Sequence, residues 1–182
     1  MRADPIDTAR LRIRLLGPED AASVAAYYAR NEDRQRRTGP FGPHSTTAAH
    51  WAERLASVSA ELEAGKAARW ALFADGGATL VGLVSISDAI RGPLLAANLG
   101  YSLDRDAEGR GYLAEALPPL IDWAFSEFGL HRLDAGYPPW NTRSGNVLAR
   151  LGFRVEGYSQ RLLFLDGAWT DSVRTALDVE SW

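Results

Sequence analysis

The chain contains no cysteine, and that single absence removes several chemistries. Without thiols there is no disulfide, no thiolate metal site and no acyl group carried on a cysteine during a transfer. Histidine is scarce too: His44, His50 and His131 are the full set, and their spacing is not that of a metal site. No apolar run approaches the length that crosses a bilayer. Met-Arg-Ala-Asp-Pro at the N-terminus also lacks the apolar stretch of a signal peptide, so a cytoplasmic protein without a membrane partner is expected. Nor is positive charge in excess. A formal net charge of -3 argues against a broad basic field, and no direct nucleic-acid contact is expected.

What is present is globular. The 182 residues, 46% of them hydrophobic, suit one domain over 1–182 with a substantial core, and no repeat, low-complexity tract or linker divides them. Alternation in Leu11–Leu16 predicts a strand closed by Gly17-Pro18, and a helix then runs from Pro18 to about Arg30. Asn31–Ser45 reads as a polar loop, and a second helix is expected from Thr47 to Glu63, ended by Gly65. "RWALFA" and "TLVGLVSIS" form a strand pair turning at Asp75-Gly76-Gly77, followed by a strand at Leu94–Leu103. A helix over Gly111–Phe128 contains Pro118 and Pro119, which should kink it, and Gly129 caps it. "HRLDAGY" is a further strand, Asn141–Leu151 a short helix and "FRVEGYS" the next strand. A separate hairpin of Arg161–Leu165 and Ser172–Leu177 completes the chain.

The most informative stretch is "EGRGYLAEAL", Glu108–Leu117. Its glycines lie immediately before a helix, where they let a ligand approach the backbone, and free N–H groups at a helix start favour an anion. Gly109-x-Gly111-x-x-Ala114 fits the dinucleotide fingerprint, with Asp134 roughly where the ribose acid belongs. Position argues against that reading: the stretch comes after several strands, and too little chain follows for a doubly wound fold. A P-loop is excluded because no Gly-Lys-Ser/Thr closes the loop. A plain tight connection remains open. About thirty residues on, "NTRSGNVLARLGF" starts a second helix with Asn141 as its cap and Gly152 at its end. If the two preceding strands are parallel neighbours, both helix starts share one sheet edge, where open sheets hold ligands.

At these residues the chain resembles the GNAT superfamily of coenzyme A dependent N-acyltransferases, in particular its RimJ/RimL branch of ribosomal-protein N-terminal acetyltransferases. "LGYSLDRDAEGRGYLAEAL" resembles the acyl-coenzyme A loop of that branch, and "NTRSGNVLARLGF" its N-x-x-S-x-x-V-L-x-x-L-G-F helix. "SDAIRG", "ARLGFRVEGY" and "LDGAWTDSVRTAL" are most similar to the alanine-directed members. The resemblance covers nearly the whole chain. It implies an α/β fold with a mixed, mostly antiparallel sheet of about six or seven strands flanked by helices, and a splayed parallel pair at the cofactor cleft.

By the same resemblance acetyl-CoA is the cofactor, held at Gly109, Arg110, Gly111, Tyr112, Leu113 and Ala114. Tyr101, Ser102 and Leu103 flank its thioester, with a strand N–H polarising the carbonyl, and Asn141 and Ser144 meet the pantetheine arm. Two residues depart from the superfamily loop: Glu108 stands for Gln or Arg, and Leu113 for a small residue. A carboxylate there should repel a diphosphate and weaken cofactor binding, with Arg110 as an offset. Asn98 also replaces a carboxylate that many relatives carry.

Lacking a cysteine, the chain is expected to support direct attack by an amine in a ternary complex. An α-amine, with a pKa of about 7.7–8.0 against about 10.4 for lysine, needs only a modest base near neutral pH. Asp88 is the candidate base and Ser144, by resemblance, the proton donor to the leaving thiolate. Plain alternatives stay open: Asp88 as a solvated strand end and Ser144 as part of a helix-start hydrogen-bond pattern. Trp140, Tyr137, Trp51, Tyr101 and Arg91 are candidates for the acceptor side. A protein or peptide N-terminus, a ribosomal protein for instance, is the expected acceptor; a small amine or a non-catalytic acyl-CoA-binding role are the alternatives.

Overall fold

Alternation along a central strand, Ala68–Ala74, sets the architecture. Ala68, Trp70, Leu72 and Ala74 belong to the larger hydrophobic core, whereas Ala71 and Phe73 join a smaller one on the opposite face. A strand apolar on both faces must be covered on both, so helices flank the sheet on either side. The computed structural model describes residues 4–39 and 41–182. Its strands are β1 (Ile6–Asp7), β2 (Arg12–Leu15), β3 (Ala68–Ala74), β4 (Thr79–Ile90), β5 (Ala96–Leu103), β6 (Arg132–Tyr137), β7 (Arg154–Leu165) and β8 (Ala168–Asp178). The α-helices are α1 (Ala21–Arg30), α2 (Glu32–Thr38), α3 (Ala48–Leu55), α4 (Val58–Glu63), α5 (Tyr112–Ser126) and α6 (Thr142–Arg150).

Among the described residues, eight strands form one sheet in the order β1-β2-β3-β4-β5-β6-β8-β7, one or two more than the sequence led us to expect. Every neighbouring pair is antiparallel except β5 and β6. Those two run parallel, but their pairing covers only Ala96–Arg132, Ala97–Leu133 and Asn98–Asp134. Beyond it, β5 continues to Leu103 and β6 to Tyr137 with no bond between them, so the sheet opens into a cleft.

α5 follows from its spacing. Ala116, Leu117, Leu120, Ile121 and Ala124 recur at helical intervals, all are fully buried against the larger core, and each large side chain contributes about 1.5–3 kcal/mol of burial. Pro118 and Pro119 do not interrupt it. They leave the carbonyls of Ala114 and Glu115 without N–H donors, and these lie in the first turn, where Ala114 is exposed to solvent.

Three expectations need correction. Within Asn31–Ser45 lies α2, whose Glu32 and Asp33 at the start and Arg36 and Arg37 at the end complement the helix dipole. The helix expected over Thr47–Glu63 is two, α3 and α4, because Ser57 Oγ donates to the Arg54 carbonyl and breaks the ladder between them. "FRVEGYS" and Arg161–Leu165 are one strand, β7, bent at a bulge where Arg161 takes a left-handed φ of 50°. The short β1 was not anticipated from the sequence.

Candidate active site

The segment linking β5 to α5 lies where the parallel strands part. Gly109 and Gly111 have φ values of 72° and 78°, a backbone that disfavours any side chain. A Cβ on Gly109 would meet nothing within 4 Å, so the loop faces open space. Gly111 is the N-cap of α5 and no side chain caps it, which leaves the first-turn N–H groups for another acceptor. Glu115, the acid of that turn, is turned away: it accepts from the Thr8 hydroxyl, from Arg10 N–H at 2.8 Å and from Arg10 Nε at 2.7 Å. Leu113 packs against the larger core and Tyr112 is buried beneath the Arg10 guanidinium, so both offer the loop only backbone. Arg110 gives its carbonyl to Arg10 at 2.6 Å.

The repulsion expected from Glu108 is relieved. Its carboxylate pairs with Arg34 of α2 and with Arg143 of α6. One acid is thus bracketed by two guanidiniums from the far sides of the cleft.

Across the opening stands the start of α6. Asn141 Oδ1 accepts from the Ser144 N–H at 3.3 Å, which forms the cap and leaves the Asn141 amide nitrogen as a donor. The helix-start pattern suspected for Ser144 is therefore real for its backbone, while its side chain is engaged otherwise. Ser144 Oγ lies 2.9 Å from the hydroxyl of Tyr101, which also donates to the Ser144 carbonyl at 3.1 Å. This contact bridges β5 and α6. Burial pushes the Tyr101 phenol up to about 12, so it stays protonated at neutral pH. α6 sits close to β6 because residue 145 is glycine: a Cβ there would lie 2.8 Å from the Tyr137 ring and hydroxyl.

β5 presents its two faces to different partners. Ala97, Leu99, Tyr101 and Leu103 face the larger core and α5. On the opposite face the Ser102 hydroxyl accepts from Tyr27 at 2.9 Å, so only its backbone can serve the cleft, and Asn98 donates to Asp88 at 3.3 Å. Asp88 is exposed with a left-handed φ of 55° at the irregular end of β4, and Ser87 also donates to it at 3.1 Å. Asp88 thus belongs with the face of β5 that carries Asn98, and Ser144 with the face that carries Tyr101. Among the acceptor candidates, Trp140 is half exposed, with Arg37 of α2 over its indole at 5.1 Å. Trp51 instead packs 4.7 Å from Tyr28 in the smaller core, and Arg91 is tied to the carbonyls of Phe128 and Gly65; neither lines the cleft.

An uncapped helix start behind two left-handed glycines, beside splayed parallel strands, suits a diphosphate followed by a thin thioester arm. Residues 10–154 match the acetyltransferase (GNAT) domain, and the chain belongs to that family: it is an acetyl-CoA-dependent N-acetyltransferase. Over 97% of this chain and 92% of the relative, it is 36% identical to the [ribosomal protein uS5]-alanine N-acetyltransferase of Escherichia coli K12. The ribosomal-protein-S5-alanine acetyltransferase of Vibrio fischeri superposes with a TM-score of 0.93 at 31% identity, covering 99% of both chains. Mycobacterium smegmatis RimJ, solved with CoA-disulfide, superposes with a TM-score of 0.87 at 29% identity over 93% of this chain and 82% of that one.

Two features escaped the sequence reading. The Tyr101 hydroxyl, expected as a neighbour of the thioester or on the acceptor side, is the partner of Ser144. Arg34 was hidden in an expected loop, although the Glu32–Arg36 pair at i, i+4 was a readable helix signal.

Proposed function

We propose that this enzyme acetylates the α-amine of a protein that begins with alanine, a ribosomal protein in particular, in the cytoplasm and through one domain spanning 1–182. The observation that carries the acceptor class is the identity of 36% along almost the entire chain to a uS5-alanine N-acetyltransferase, a match that includes the acceptor face as well as the cofactor loop.

Acetyl-CoA, when bound, would supply the acetyl group as a thioester. Gly109 to Ala114 seat its diphosphate on their backbone, and the unpaired edge of β5 around Tyr101–Leu103 offers N–H groups to the carbonyl oxygen as charge develops there. Asn141 donates its amide to the pantetheine arm. Ser144 gives its hydroxyl proton to the departing sulfur, and the Tyr101 phenol, 2.9 Å away, holds that hydroxyl in place. From the other face Asp88, steadied by Asn98 and Ser87, takes a proton from the incoming amine through water.

The test offers the purified enzyme acetyl-CoA with two panels: peptides copying ribosomal-protein N-termini with alanine or serine first, and small amines including polyamines and aminoglycosides. Acetylation of alanine peptides at the α-nitrogen, located by mass spectrometry, is expected. Turnover of small amines with none on peptides would overturn the reading.

A further inference from the structure

Glu108 is the residue of the cofactor loop whose charge is wrong for its neighbourhood, and its surroundings show how the chain accommodates it. The acid follows a short turn at Arg105–Ala107 and precedes Gly109, so it lies at the entrance to the open start of α5. Two guanidiniums converge on it from elements distant in sequence, Arg34 from α2 and Arg143 from the first turn of α6. Arg34 is partly buried; burial lowers its basicity, and the proximity of Arg143 lowers it further. Two cations close enough to disturb each other need an anion between them, and Glu108 supplies one negative charge where the pair carries two positive. Of the other acids near by, Asp104 also acts on Arg34 but is held by Arg30 and Asn31, Asp106 lies 3.9 Å from Arg105, and Glu115 is held by Arg10 and Thr8. One positive charge is therefore left over at the mouth of the loop.

We propose that Arg34 and Arg143 bind the diphosphate of the coenzyme, and that Glu108 gathers them beside a loop with no cation of its own at this position. The carboxylate shares the planar, bidentate geometry by which guanidinium also takes phosphate oxygens, so a second anion can enter the same fork. Cation and loop then come from three elements, α2, α6 and the β5–α5 connection, already tied together by Glu108.

Isothermal titration calorimetry with coenzyme A and with dephospho-coenzyme A, which keeps the diphosphate but lacks the 3′-phosphate, reads this directly. Arg143→Ala, an exposed position whose loss leaves the fold intact, should weaken both ligands about tenfold, or ~1.4 kcal/mol. Arg34→Gln should do the same. Raising the salt concentration should weaken coenzyme binding to the wild type more than to either variant. Unchanged affinity in Arg143→Ala would overturn the proposal by reducing the ion pairs to structural ties. A loss seen with coenzyme A but not with dephospho-coenzyme A would overturn it equally, since the arginines would then serve the 3′-phosphate. Coenzyme binding by the wild type stands as a separate readout of the loop itself.

Discussion

The two helices that begin at the same edge of the sheet, α5 after β5 and α6 after β6, have opposite kinds of N-terminus. α5 starts at a left-handed glycine with no side-chain cap and a neighbouring glycine facing open space. α6 starts at an asparagine whose side chain fills the capping position, and a glycine one turn in lets it rest on Tyr137. The helix dipole is common to both, so it does not distinguish them. What differs is whether the chain satisfies its own donors. At α5 no side chain takes one; at α6 Asn141 takes the Ser144 N–H, and the helix becomes a mount for the Ser144 hydroxyl. A transferase needs both, one to hold the coenzyme by its phosphates and one to fix a proton donor at the far end of the arm.

The sharpest break of this contrast is Ser144→Ala. The cap at α6 uses the Ser144 backbone, so alanine keeps the helix and removes only the hydroxyl. Turnover at saturating acetyl-CoA should fall on the order of a hundredfold or more, as for loss of a general acid, while KM for acetyl-CoA changes little. Steady-state kinetics decide it: an unaltered kcat would return Ser144 to a merely structural part.

At α5 the corresponding change acts on binding. Gly111→Val places a β-branched residue at a φ of 78°, which costs about 1–2 kcal/mol or more, and its side chain would crowd the Arg10 guanidinium 3.5 Å from the Cβ position. The loop must then leave its present path. Calorimetry should show coenzyme affinity down about tenfold or more. Equal affinity would mean that the loop's conformation is irrelevant to the phosphates, and the contrast between the two helix starts would lose its meaning.

The contrast was half readable in the sequence. Gly109, Gly111 and Asn141 announce their positions because backbone conformation and capping are local matters, and the apolar face of α5 has a period that survives any tertiary context. Tyr101 and Ser144 are 43 positions apart, and their meeting depends on how far β5 and β6 splay, which no local pattern encodes. α2 is short and has no apolar residue; Arg34 reaches Glu108 from it, a contact 74 positions long. The break between α3 and α4 rests on one serine hydroxyl, with neither glycine nor proline to mark it. Glu108 was misjudged for the same reason: its charge was legible, and its two partners were not.

The smallest effect concerns the acid in the first turn of α5, for which α6 has no counterpart. The Thr8 hydroxyl holds the Glu115 carboxyl below its ordinary range, with help from the backbone N–H and guanidinium of Arg10. A carboxylate whose folded pKa is depressed contributes stability that is fully present above its unfolded value, about 4.3 for glutamate, and that disappears as pH falls through the folded value. Because Arg10 is about half exposed, solvent screening limits the contribution to roughly 0.2–1 kcal/mol. Below about pH 4.3 the wild type should therefore lose thermal stability that Glu115→Gln, already without the charge, has no means to lose. Melting curves from pH 6 to pH 3 should converge for the two proteins at the acid end. Curves that stay parallel throughout would show that the clamp on Glu115 contributes no charge-dependent stability, and that α5 keeps its open start without diverting its own acid.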